Sequence, residues 1–183
     1  MRKGKYISYI AEFCRHYCQR LVFVAFLFII PAQISGQGLQ VPIAIQAALI
    51  QKVIKFDNAI GNRTDIVMLI IYDNETKIFK NELISQLPAS YKIRAVLVTE
   101  LEGNLDGCDL AYIMPGVQSS VSIVKARKIL TITGLSKYVE SGDVSIGFGL
   151  QNDKPKIFVN MTSLKTEERI LAADILRIAK VYK

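Results

Sequence analysis

Three observations predict an α/β fold: a mostly parallel, Rossmann-like sheet with flanking helices, closed by a C-terminal antiparallel hairpin and a final helix. From residue 41 onward, apolar runs of strand length alternate with segments of helical period, which is the signature of parallel crossover units. The run "IVMLIIY" at 66–72 has no polar interruption, as a strand buried on both faces requires. The stretch "VSIGFGL" at 144–150 alternates with period two and is followed by turn residues and a further strand, "KIFVNM", so the pair reads as a hairpin.

Each element follows in chain order. Residues 41–61, "VPIAIQAALIQKVIKFDNAIG", place Ile45, Leu49, Val53, Phe56 and Ile60 at steps of three and four, with Pro42 suited to a first turn and Gly61 to a stop. That pattern predicts an amphipathic helix. After the polar turn 62–65 comes the buried strand. "KIFKNELISQL" (77–87) reads as a helix, "KIRAVLVTE" (92–100) as a strand, and "DLAYIMP" (109–115) as a strand stopped by Pro115. Residues 117–126 suit a short helix and "KILTIT" (128–133) a fourth strand. The hairpin turns at 151–155. The closing segment, "MTSLKTEERILAADILRIAKVYK", predicts one helix docked on the sheet. Thr162 or Ser163 caps it, Glu167 and Glu168 suit its positive first turn, and Leu164, Leu171, Ile175, Ile178 and Tyr182 form its apolar stripe.

The N-terminal region follows other rules. Arg2, Lys3, Lys5, Arg15 and Arg20 stand against Glu12 alone, "LVFVAFLFII" (21–30) is wholly apolar, and "PAQISGQG" follows with small residues. This is the layout of a secretory signal peptide, and ten apolar residues fall short of the roughly 20 that a membrane span needs. The expected organisation is a signal peptide over 1–36, cut in the region of Gly36 and Gln37, and one domain over 37–183. An uncleaved anchor is the second reading. Removal takes away five basic residues and one acidic one, so the formal charge falls from +7 to +3. The basic balance therefore belongs mostly to targeting, and no remaining Lys/Arg cluster points to nucleic acid.

Cys14, His16 and Cys18 leave with the same segment, and the mature chain keeps Cys108 as its one cysteine and has no histidine. Histidine relays, Cys-His pairs, the usual zinc sites and an intrachain disulfide are thereby excluded. Cys108, in "LDGCDLAYIM", reads as a packing residue. Asp143, Asp153, Glu167 and Glu168 read as turn and cap residues, so no catalytic set, metal site or cofactor is expected. Asn62, Asn74 and Asn160 head N-x-T matches that carry no weight here.

Gly134, Gly142, Gly147 and Gly149 invite comparison with phosphate-binding loops, but Phe148 and Gly149 stand where a P-loop needs Lys and Ser/Thr, and Asn152 replaces the third glycine of a dinucleotide fingerprint. In "VSIGFGL" Gly147 and Gly149 instead share one strand face, where something approaches closely. One reading is a partner protein, met by a surface of Tyr138, Glu140, Gly142, Asp143, Gly147 and Gly149, with the acidic residues orienting a basic partner. The other is internal packing beneath the C-terminal helix. A solute or peptide site at the strand ends would involve Tyr72 to Asn74, Thr99 to Glu102 and Thr133 to Ser136.

The tail from "KILTITGLSKYVESGDVSIGFGL" to "ILRIAKVYK", the opening "IAIQAALIQKVIKF" and the strand "CDLAYI" resemble the YfiR/HmsC-like family of small bacterial periplasmic proteins. In that family a strand of the "vLTv" type precedes a short helix, a glycine turn and strand, a strand ending in Asn plus an apolar residue, and a helix ending "LLrlA". The matching stretches here are Ile129 to Thr133, Gly142 to Phe148, Phe158 to Met161, and Ile175 to Ala179. The family's Gly-Gly is Gly142-Asp143 in this chain, its aromatic-Trp-Pro ending of the first helix is replaced by "KFDNAIG", and the cysteines that form disulfides in some members are missing. The resemblance implies a non-enzymatic periplasmic repressor or sensor that restrains the extracytoplasmic domain of an inner-membrane diguanylate cyclase, lowering cyclic-di-GMP and biofilm formation, or that accompanies a sensor kinase. The alternative is a small ligand-binding module. Self-association into a homodimer is left open by the sequence.

Overall fold

Seven strands build one sheet: β1 (Val67–Tyr72), β2 (Lys92–Leu97), β3 (Leu110–Ile113), β4 (Leu130–Thr133), β5 (Ile146–Gln151), β6 (Lys154–Asn160) and β7 (Lys180–Tyr182), in the order β2-β1-β3-β4-β5-β6-β7. Neighbours from β2 to β5 are parallel, β5 and β6 are antiparallel, and β6 and β7 are parallel to each other. The computed structural model describes residues 41–183. The expected signal peptide, Gly36, Gln37, Cys14, His16 and Cys18 lie outside the described residues. Among the described residues no helix is long and apolar enough to cross a membrane.

Among the described residues, six α-helices accompany the strands: α1 (Ile43–Ile54), α2 (Lys77–Gln86), α3 (Val121–Ala126), α4 (Ser136–Glu140), α5 (Met161–Thr166) and α6 (Ala173–Ile178). The centre is β1 against β3, where Met68 to Ile71 and Leu110 to Ile113 are all buried, as their unbroken apolar run requires. The α/β class and the β5–β6 hairpin match the expectation. The hairpin turn is tighter than 151–155: Asn152 and Asp153 alone make it, both with positive φ (51° and 56°), as a two-residue turn of the twisted hairpin type demands.

Two sequence expectations are corrected. The first helix ends at Ile54, and its buried face is Ile43, Gln46, Ala47, Ile50, Val53 and Ile54, while Ile45 is 39% exposed. The chain leaves the helix because Asp57 turns inward, accepts from Ala59 N (2.8 Å) and Ile60 N (3.1 Å), and bridges to Leu171. Phe56 and Ile60 therefore reach the core region from a turn rather than along a helical stripe.

The single C-terminal helix is the second correction, since its span divides into α5, a turn, α6 and β7. Asn160 caps α5 by accepting from Ser163 N at 3.0 Å, in place of Thr162 or Ser163. The helix then stops in a Schellman pattern: Glu168 N bonds Lys165 O (3.1 Å), Arg169 N bonds Leu164 O (2.9 Å), and Glu168 takes the left-handed φ of 53°. Glycine or asparagine ordinarily announces such a stop, and here a glutamate conceals it. Downstream, Asn58 N→Ile170 O and Ala172 N→Phe56 O fasten the turn to the end of the first helical region. Tyr182 stacks on Phe158 with ring centroids 6.4 Å apart, and β7 becomes the sheet edge beyond the hairpin.

Candidate functional site

The glycine stretch folds into a small covered turn. α4 ends in the same Schellman pattern that ends α5, with Gly142 N→Val139 O (3.1 Å), Asp143 N→Tyr138 O (3.0 Å) and Gly142 at φ 81°. Only the residue in the left-handed position needs to be glycine. Asp143 in place of a second glycine is therefore compatible with the turn, and its side chain is available for the surface.

α4 also decides the role of the strand glycines. A Cβ on Gly147 would stand 2.5 Å from Val139 Cγ2, and one on Gly149 would stand 2.9 Å from Ser136 Cβ and 3.0 Å from the Phe158 ring. Both glycines are buried, and Tyr138 is 4% exposed with its hydroxyl accepting from Gly116 N at 3.1 Å. The expectation that Tyr138, Gly147 and Gly149 face a partner is thus corrected. They are internal, and the element that needs their space is α4, not the C-terminal helix. Glu140 remains exposed, and Gly142 and Asp143 are half-buried at the rim.

Beside that rim lies an open cavity of about 470 Å³ lined by Gln118, Ser119, Val121, Ser122, Lys125, Gly142 and Asp143. Asp143 Oδ2 accepts from Gln118 Nε2 and Ser141 Oγ, which ties the rim to the start of α3. Lys125 donates to Gly142 O (2.7 Å) and Ser163 Oγ (2.8 Å), and Ser163 Oγ donates to Gly142 O (2.6 Å). Burial pushes the Lys125 ammonium below its ordinary range, while Glu167 and Asp143 hold it up. Asn160 closes the circuit by donating to Val139 O at 3.0 Å. Helices α3, α4 and α5 are thus joined at one shallow, amphoteric patch.

Beneath Lys125 is a group that sequence reasoning took for a first-turn and cap residue. Glu167 is 1% exposed, with Oε2 accepting from Thr131 N at 3.2 Å and Oε1 from Thr131 Oγ1. Desolvation raises its carboxyl from the ordinary range to about 7, against the opposing pull of Ser145, Thr131 and Lys125. Its neighbour Glu168 is exposed and pairs with Lys128 at 2.6 Å. The two residues look alike in sequence, and the unannounced helix stop between α5 and α6 is what separates them.

The strand-end positions make local hydrogen bonds. Asp73 accepts from Thr76 N (2.8 Å) and Thr76 Oγ1 (2.7 Å), and buried Thr133 donates to Ile113 O (3.0 Å) and accepts from Leu135 N (3.3 Å). Val98–Glu100 and Glu102–Asn104 are single 3-10 turns. Cys108 is half-buried against the core, within 3.6 Å of Arg94 Nη1, and burial pushes its thiol up, which favours the unreactive form.

A sequence profile described as YfiR/HmsC-like matches residues 44–180. No curated protein matches the chain. Among solved structures, a "conserved domain protein" from Vibrio cholerae O1 biovar El Tor superposes with a TM-score of 0.61 at 10% identity, over 78% of this chain. The present chain spans 60% of that protein's length. At such identity the likeness concerns the fold alone.

Proposed function

The chain belongs to the YfiR/HmsC-like family, and from that premise we propose that it is a non-enzymatic periplasmic regulator that binds and restrains the extracytoplasmic domain of an inner-membrane signalling protein. The observation that carries this reading is the family match across residues 44–180, which covers almost the whole folded domain. A diguanylate cyclase fits best as the target, with a sensor kinase as the other member of the same class. The docking surface is the rim of Glu140, Gly142 and Asp143 with the adjoining cavity. Its carboxylates, exposed at Glu140 and half-buried at Asp143, attract a basic patch on the partner, and its backbone is held in place by Lys125, Ser163 and Asn160.

The functional test is deletion of the gene. Cyclic-di-GMP or the kinase output should rise, and crosslinking in the envelope should recover the membrane partner. Unchanged output together with no recovered membrane protein contradicts the proposal.

A further inference from the structure

We propose that the cavity beside the Gly142–Asp143 turn is an arginine socket: one arginine side chain of the partner enters it and anchors the docked complex, and a lysine does not replace it. The socket deepens the proposed function and rests on it, because the rim is the docking surface assigned there. One wall of the cavity is a single run of chain. The 3-10 turn Gln118–Ser120 passes directly into α3, so Ser119, Ser122 and Lys125 recur at three-residue steps along one face, with Gly142 and Asp143 completing the lining. The cavity, about 470 Å³ and open to solvent, has room for one long side chain.

The polar groups of the lining divide into those already engaged and those left over. Lys125 is engaged inward, since its ammonium donates to Gly142 O (2.7 Å) and Ser163 Oγ (2.8 Å), and Gly142 O also accepts from Ser163 Oγ (2.6 Å). Asp143 receives both of its donors, Gln118 Nε2 and Ser141 Oγ, on Oδ2. Gln118 cannot turn its nitrogen outward without breaking that bond, so the amide presents its oxygen. Among the described residues no donor reaches Asp143 Oδ1 or Gln118 Oε1, and the exposed hydroxyls of Ser119 and Ser122 make no hydrogen bond. The cavity therefore offers four oxygens, two of which can only accept.

The charge of Lys125 offsets part of that on Asp143, so hydrogen-bond matching rather than bulk charge sets the preference. A lysine gains little there. Its ammonium is a compact, strongly hydrated charge with three donors, whereas a guanidinium spreads five N–H donors over a rigid plane and is more weakly hydrated. Four acceptors contributed by two separate segments suit the wider group. Val121 adds an apolar surface for the arginine stem, and exposed Glu140 at the rim favours the approach of a cation.

The test is a nuclear magnetic resonance titration of the unaltered protein with N-acetyl-arginine N-methylamide and, separately, with its lysine counterpart. The arginine probe should bind with a Kd on the order of 1 mM, shifting the Gln118 side-chain amide and the backbone amides of residues 119–125 and 142–143. It should bind about fivefold more tightly than the lysine probe. Ser122→Arg, which places a guanidinium in the cavity from an exposed helical position, should abolish the arginine response and weaken binding of the partner domain about tenfold or more. In that domain, one arginine changed to lysine should weaken binding to the unaltered protein about tenfold. Equal affinity for the two probes, shifts confined to other residues, or no saturable arginine response overturns the socket. If Ser122→Arg does not fold, the comparison of probes on the unaltered protein decides. The probes need no partner, so their failure refutes the socket and leaves the proposed function standing, whereas unchanged signalling on deletion contradicts the proposed function itself.

Discussion

The two halves of the sheet are held by different chemistry. At β1 and β3 every residue from Met68 to Ile71 and from Leu110 to Ile113 is buried and nonpolar but for the Tyr112 hydroxyl, which meets Gln46. Around β4, β5 and α5 the buried set includes Thr131, Thr133, Ser145, Asn160, Ser163 and Glu167, joined by directional bonds. The first half resists perturbation through packing, which responds weakly to pH. The second depends on satisfied polar groups, which are costly to strand and can be switched by one proton. The proposed partner surface sits on the second half.

Substitutions can break this contrast at several strengths. Ile70→Ala, at the fully buried centre of β1, should cost about 2–5 kcal/mol by denaturant unfolding, with the same loss at acidic and alkaline pH. Gly147→Val should cost about 1–3 kcal/mol, because its Cβ enters the space of Val139 beneath α4. A change of that size with normal partner binding fits an internal glycine face. No loss of stability argues against the described packing.

Melting as a function of pH sharpens the contrast. Glu167 has a raised native carboxyl, so wild-type stability should decline by roughly 2 kcal/mol as pH rises from about 4.5 to about 7. The Glu167→Gln protein should lack that decline, whereas Ile70→Ala should retain it. Smallest is Glu168→Gly: relief of the left-handed glutamate should gain about 1 kcal/mol, reduced only slightly by losing the exposed pair with Lys128.

The contrast also explains what could be read from the sequence. Continuous apolar runs announce β1 and β3, and the alternation of 144–150 with the turn after it announces the hairpin, because burial on one or two faces leaves a trace in the pattern. The polar half leaves none. Glu167 and Glu168 are adjacent and chemically alike, and a left-handed glutamate between α5 and α6 gives no glycine signal, so the helix stop and the buried carboxylate were both hidden. Gly147 and Gly149 did signal a close approach, but period-two alternation cannot say what approaches. The answer lay in α4, a five-residue helix whose packing on β5 depends on the sheet being formed. At the rim, Glu140 and Asp143 were legible as acidic residues beside a glycine turn, while Gln118 and Lys125 were missed because they come from a different helix region.

The most direct test compares a rim variant with an interior one against the extracytoplasmic domain of the membrane protein that envelope crosslinking recovers. Asp143→Lys should cost about 1–2 kcal/mol of stability through the lost bonds from Gln118 and Ser141 and should weaken binding by the remaining folded protein at least tenfold by calorimetry, because it reverses the charge proposed to face a basic partner. Gly147→Val should lower the melting temperature, with the remaining folded protein binding normally. Wild-type affinity in Asp143→Lys, measured beside a partner domain that binds the unaltered protein, contradicts the assignment of the Gly142–Asp143 rim as the docking surface.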